Sequence, residues 1–174
     1  MRSALEALTI GLLLLYSLAG CSSQRSASSS AAGAGDSFVG AWRSRIHFNQ
    51  GALAPIQDLE FLYAFNAGGT MTESSNYDGA PPVPPAYGIW RAVGQNQIEA
   101  VYTYYNTRPP ATFDDVMRGG GWLPAGRGVL TERFTLGGDG QSFESAISLE
   151  LHDQAGKRVE GGGTGTGQGT RIRF

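Results

Sequence analysis

Cysteine, histidine and long apolar runs are what this 174-residue chain has least of. Its single cysteine, Cys21, excludes an intramolecular disulfide. Its two histidines, His47 and His152, stand far apart with no Cys or Asp cluster beside them. The ligand spacing of a metal centre is therefore missing, and no metal is expected. The apolar stretch from Leu8 to Leu18 falls short of the roughly 20 residues that a membrane-spanning helix needs. The formal charge is only -2 and no basic cluster occurs, which argues against a nucleic-acid partner. Gly161, Gly162, Gly163, Gly165, Gly167 and Gly169 precede no Gly-Lys-Ser/Thr and open no helix, so they are not a phosphate loop. No cofactor is expected.

The N-terminus has the three parts of an export signal. Arg2 and the amino terminus form a modest positive region, weakened by Glu6. Leu8 to Leu18 forms the apolar region, and the small residues Ala19 and Gly20 then precede Cys21. Leu18-Ala19-Gly20-Cys21 resembles the lipobox of bacterial lipoproteins. The resemblance implies that residues 1–20 are a signal peptide and that Cys21 carries lipid. It also explains an odd cysteine in an exported chain, for which a free thiol is the alternative. Several acyl chains would anchor the protein stably, since each buried methylene contributes about 0.8 kcal/mol. Ser22 follows the cysteine, which by the same resemblance implies the outer membrane, facing the periplasm, if the host is Gram-negative. Residues 21–36 are mostly Ser, Ala and Gly and bury too little to offset ordering entropy, so they are expected to be a flexible tether.

Residues 37–174 are expected to fold as one all-β domain. Trp42, Ser44, Ile46 and Phe48 alternate with Arg43, Arg45 and His47, the period of a half-buried strand. Further strands are expected over 56–66, 70–76, 87–93, 97–107, 127–136 and 141–152, with two short ones at 157–161 and 164–173. Residues 79–85 are proline-rich and read as loop, and 108–126 reads as the longest irregular stretch. Eight or nine strands joined mostly by tight turns form a meander, and closing it removes exposed edges. The expected fold is an eight- to nine-stranded antiparallel up-and-down β-barrel, with an open two-sheet sandwich as the alternative.

Gly40-Ala41-Trp42 resembles the G-x-W motif that opens the first strand of lipocalins and other calycins. The resemblance implies that Trp42 plugs one end of the barrel. It also implies an arginine from the last strand over the ring: Arg171, with Arg173 as the alternative. Phe65-Asn66-Ala67-Gly68-Gly69-Thr70, Gly88-Ile89-Trp90 and Gly163-Thr164-Gly165-Thr166-Gly167 resemble a family of uncharacterised bacterial lipocalin-like domains. That resemblance implies a fold and no defined activity.

Six aromatics, Phe61, Tyr63, Phe65, Trp90, Tyr102 and Tyr104, are candidates to line a ligand cavity. A filled core uses the same side chains, and barrel interiors favour that reading. Tyr104 and Tyr105 are adjacent, so at most one faces inward. Arg133 is a candidate for a ligand carboxylate if its face turns in; burial preference instead points Leu130, Phe134 and Leu136 inward. His47 and His152 are expected in solvent. Asp114 and Asp115 read as a solvated loop or helix cap rather than an acid–base pair. No catalytic residue is identified, and an enzyme is the less favoured class. The expected function is a membrane-anchored lipoprotein of the bacterial cell envelope whose barrel binds a small, mostly apolar ligand. The alternatives are a filled barrel acting as an interaction module, or an isomerase- or cyclase-type enzyme on the same barrel.

Overall fold

The computed structural model describes residues 35–77, 84–118 and 121–174. The expected leader, the expected lipidation at Cys21 and most of the expected tether lie outside them. The domain is a closed antiparallel barrel in which every strand pairs with its sequence neighbours and the last returns to the first. Its strands are β1 (Gly40–Phe48), β2 (Leu59–Phe65), β3 (Thr70–Ser75), β4 (Ala86–Gly94), β5 (Gln97–Arg108), β6 (Leu123–Leu136), β7 (Ser142–His152) and β8 (Arg158–Arg171). Closure is made by β1, which pairs Ser44 with Phe61 on one side and with Gly169 on the other.

Eight strands, not nine, complete the circuit. The two short strands expected at the C-terminus are one, β8, which passes an irregularity opposite Leu149–Leu151 without breaking. Gly161 takes a φ of 102° there, a conformation that glycine adopts without steric cost. The irregular stretch expected from Arg108 is also shorter than the sequence suggests. β6 begins at Leu123, pairing with Arg108, and the gap holds one short helix, α1 (Phe113–Met117). Pro124 is tolerated in β6 because β7 pairs with that strand only from Arg127 onward, so the missing amide leaves no ladder bond unmade.

The period-two alternation of the strands sorts side chains by face. Trp42, Ser44, Ile46 and Phe48 of β1 point inward, as do Leu59, Phe61, Tyr63 and Phe65 of β2. The inner face of β8 carries only glycine at 163, 165, 167 and 169. A Cβ on Gly169 would stand 2.2 Å from the Phe143 ring, so this strand yields its interior volume to its neighbours' aromatics.

The two ends differ. At one, the turns 66–69, 95–96 and 137–141 are short, and Phe38 packs beneath them fully buried. At the other, the connections 49–58, 76–85 and 109–122 are longer.

Candidate functional site

The interior changes character along the barrel axis. The short-turn end is aromatic and filled. Trp42 is fully buried, its indole N–H donates to the Phe38 carbonyl at 2.8 Å, and its ring lies 5.3 Å from Phe143. Phe65, Phe134 and Phe143 continue the cluster in edge-to-face contacts, a geometry that aromatic quadrupoles favour. Arg171, rather than Arg173, places its guanidinium 4.2 Å over the Trp42 ring. It also donates to the carbonyls of Val39 at 2.8 Å and of Ser37, tying the segment before β1 to the last strand. Trp90 belongs to this end, packing against Phe65 while its indole N–H donates to the carbonyls of Asn66 and Thr70.

The middle is polar. Glu132 is fully buried on the inner face of β6 between Leu130 and Phe134. The Tyr102 hydroxyl donates to its Oε2 at 2.6 Å, and the Tyr63 hydroxyl donates to the same oxygen at 3.0 Å. The Ser145 hydroxyl approaches this carboxyl without meeting hydrogen-bond geometry. Burial pushes the Glu132 carboxyl up to about 7, against the opposing pull of its hydroxyl neighbours. Both tyrosines are raised well above the ordinary phenol value, first by burial and then by the Glu132 charge.

The long-loop end is hollow. A cavity of about 470 Å³ opens there, lined by Leu53, Leu59, Phe61, Leu130 and Tyr104 on its apolar side. Glu73 of β3 forms part of its wall and is only 6% exposed. Its Oε1 is buried and accepts no hydrogen bond among the described residues. Burial, followed by repulsion from Glu132, raises this carboxyl to about 8. Glycines opposite the tyrosines shape this region. Gly128 faces Tyr104 across β5–β6, and a Cβ there would come 2.3 Å from the phenol ring. Gly88 faces Tyr102 in the same way across β4–β5.

The six aromatics singled out from the sequence thus divide three ways. Phe61 and Tyr104 line the cavity, Tyr63 and Tyr102 hold Glu132, and Phe65 and Trp90 belong to the filled end. Tyr105 points outward and is 68% exposed. Arg133 is not part of this site. It lies on the outer face and donates to Glu99 at 3.1 Å, because Leu130, Glu132, Phe134 and Leu136 occupy the inner positions of β6. Arg91 donates to the same Glu99, and hydrogen bonds from the two guanidiniums hold that carboxyl below its usual range.

His47 is exposed, whereas His152 is half-buried at the end of β7, with Nδ1 unpartnered and Nε2 4.0 Å from Glu150. Asp114 and Asp115 sit in the first turn of α1, where Thr112 donates to Asp115 at 2.9 Å. Among the described residues no three His, Cys, Asp or Glu side chains gather as metal ligands. No helix among them is long and apolar enough to cross a membrane.

Glu73 and Glu132 are the buried acidic side chains that the sequence reading passes over. For Glu132 the signal is present. Leu130, Phe134 and Leu136 are read as one packed face, and the same spacing places residue 132 on it. For Glu73 it is weaker. Met71 is the single large apolar residue in a strand otherwise made of Thr, Ser and Glu, so the inner face is poorly marked. Comparison with protein-family models, with curated proteins and with solved structures finds no match to this chain.

Proposed function

We propose that this chain is a lipid-anchored lipoprotein of the bacterial envelope whose barrel binds a small, mostly apolar molecule at its long-loop end. The observation that carries the binding reading is the cavity itself. It is roughly the size of small-molecule sites, is walled by Leu59, Phe61, Leu130 and Tyr104, and holds two buried polar atoms, Glu73 Oε1 and Thr107 Oγ1, that lack partners among the described residues. An interaction module with a filled barrel has no use for such a void. The anchor is supported by the lipobox-like Leu18-Ala19-Gly20-Cys21 and the apolar run before it. Native mass spectrometry of the full chain, released from its host membranes in mild detergent, tests both parts. The expected spectrum shows acyl mass on Cys21 and a stoichiometric small molecule retained by the barrel. Repeated absence of any retained molecule counts against binding, and an unacylated Cys21 counts against the anchor.

One observation favours a second reading, an isomerase-type enzyme. Glu73 faces the cavity with a pKa raised to about 8, in the range where a carboxyl exchanges a proton efficiently with a bound substrate. On that reading Glu73→Gln retains ligand and abolishes turnover.

A further inference from the structure

The interior holds two buried carboxyls, Glu73 and Glu132. Their needs are met unequally. Among the described residues, Glu132 has the hydroxyls of Tyr63 and Tyr102, while Glu73 has an Oε1 with no donor, in a cavity wall that carries no Lys, Arg or His. The connection from Tyr77 to Pro84, which joins two lining residues, contains no basic residue in its sequence. A buried carboxyl without a cation is costly, and a protein that keeps one at a cavity wall leaves the counter-charge to whatever enters.

We infer that the cavity takes an amphiphilic amine. Its hydrocarbon lies against Leu59, Phe61 and Leu130, and its protonated nitrogen donates to Glu73 Oε1. This deepens the binding reading and rests on it. Two features favour a cation over other head groups. Glu132 lies behind Glu73 and adds negative potential once ionised, so an anionic head meets repulsion from both. The rings of Phe61 and Tyr104 line the same cavity, and aromatic rings attract ammonium groups through their π faces. A neutral alcohol satisfies Oε1 by one hydrogen bond and gains from neither effect.

The titratable groups facing Glu73 are Glu132 on β6, Tyr63 on β2, and Tyr102 and Tyr104 on β5. All three phenols are raised, Tyr104 to about 12, so they stay neutral across the range of interest. Pairing with an ammonium requires Glu73 to lose its proton. Amine binding should therefore tighten about tenfold per pH unit up to about pH 8 and level off above it.

The test is calorimetry of the full chain with three probes of one chain length, n-octylamine, 1-octanol and octanoate, from pH 6 to pH 9. The inference expects octylamine to bind tightest at pH 8.5, with close to one proton released to buffer per ligand bound at pH 7. Glu73→Gln should lose at least tenfold in octylamine affinity at pH 8.5, lose the proton release and keep its octanol affinity. Retained octanol binding also shows that the variant is folded. If octanol or octanoate binds as tightly as octylamine at pH 8.5, or octylamine binding is flat with pH, the amine inference fails while the binding reading survives. If none of the three binds, both fail together.

Discussion

The two ends of this barrel are built from the same alternation of inner and outer residues and reach opposite outcomes. At the short-turn end the large buried donors, Trp42 and Arg171, are both partnered. The Trp42 N–H meets the Phe38 carbonyl, and Arg171 meets both the Trp42 ring and the backbone of Ser37 and Val39. At the long-loop end a cavity of about 470 Å³ remains, with an unpartnered carboxyl oxygen in its wall. One end is packed for stability, and the other forgoes packing and electrostatic satisfaction. Sites that bind and react commonly depart from good folding rules in this way, and the departure is what leads us to propose the long-loop end as the binding site.

The comparison is broken most strongly at the packed end. Trp42→Ala removes a fully buried indole and leaves the Phe38 carbonyl without its donor, so urea unfolding should show a loss of about 4–5 kcal/mol. The opposite sign is expected at the hollow end. The folded-state pKa of Glu73 is raised to about 8 from an ordinary 4.5, so the folded chain keeps a proton that the unfolded chain releases. Its contribution to stability is fully present below about pH 4.5 and falls away as pH rises to about 8, at roughly 1.4 kcal/mol per unit. Glu73→Gln should therefore be more stable than the parent by on the order of 4 kcal/mol at pH 8.5 and close to equal at pH 4. Parallel stability curves for the two proteins would remove the claim that this end carries an unmet charge.

Smaller effects sharpen the contrast. Arg171→Lys keeps the charge but loses the planar stack and the forked donation to two carbonyls, costing about 1–2 kcal/mol by the same unfolding measurement. Octylamine affinity should be unchanged, since the residue lies at the other end. Arg133→Ala should alter stability by less than about 0.5 kcal/mol and leave octylamine affinity alone, because its pairing with Glu99 is on the outer surface. An affinity change of more than a few-fold in that variant would mean that the barrel wall is read wrongly.

The strands were legible where their burial alternates. The Trp42 to Phe48 pattern in β1 and the Leu59 to Phe65 pattern in β2 need only period two, and Gly-rich turns mark where each strand stops. The position of Arg171 over Trp42 followed from the G-x-W resemblance together with an arginine near the C-terminus. What escaped was polar burial. Preference rules place glutamate outside, and they apply to a residue type rather than to a position flanked two residues away by Leu130 and Phe134. The hollow was equally hidden. Whether a barrel level is filled depends on summed volumes from eight strands, as where the Phe143 ring takes the space that Gly169 leaves, and no single strand's pattern carries that sum.

The central claim is that Glu73 is buried in the cavity wall and takes a positive partner. A titration of its side-chain carboxyl by carbon-13 NMR, with and without n-octylamine, addresses this most directly. The account predicts a midpoint near 8 in the free protein, falling below 7 when octylamine is bound. A free-protein midpoint near the ordinary 4.5, unmoved by the amine, would contradict it.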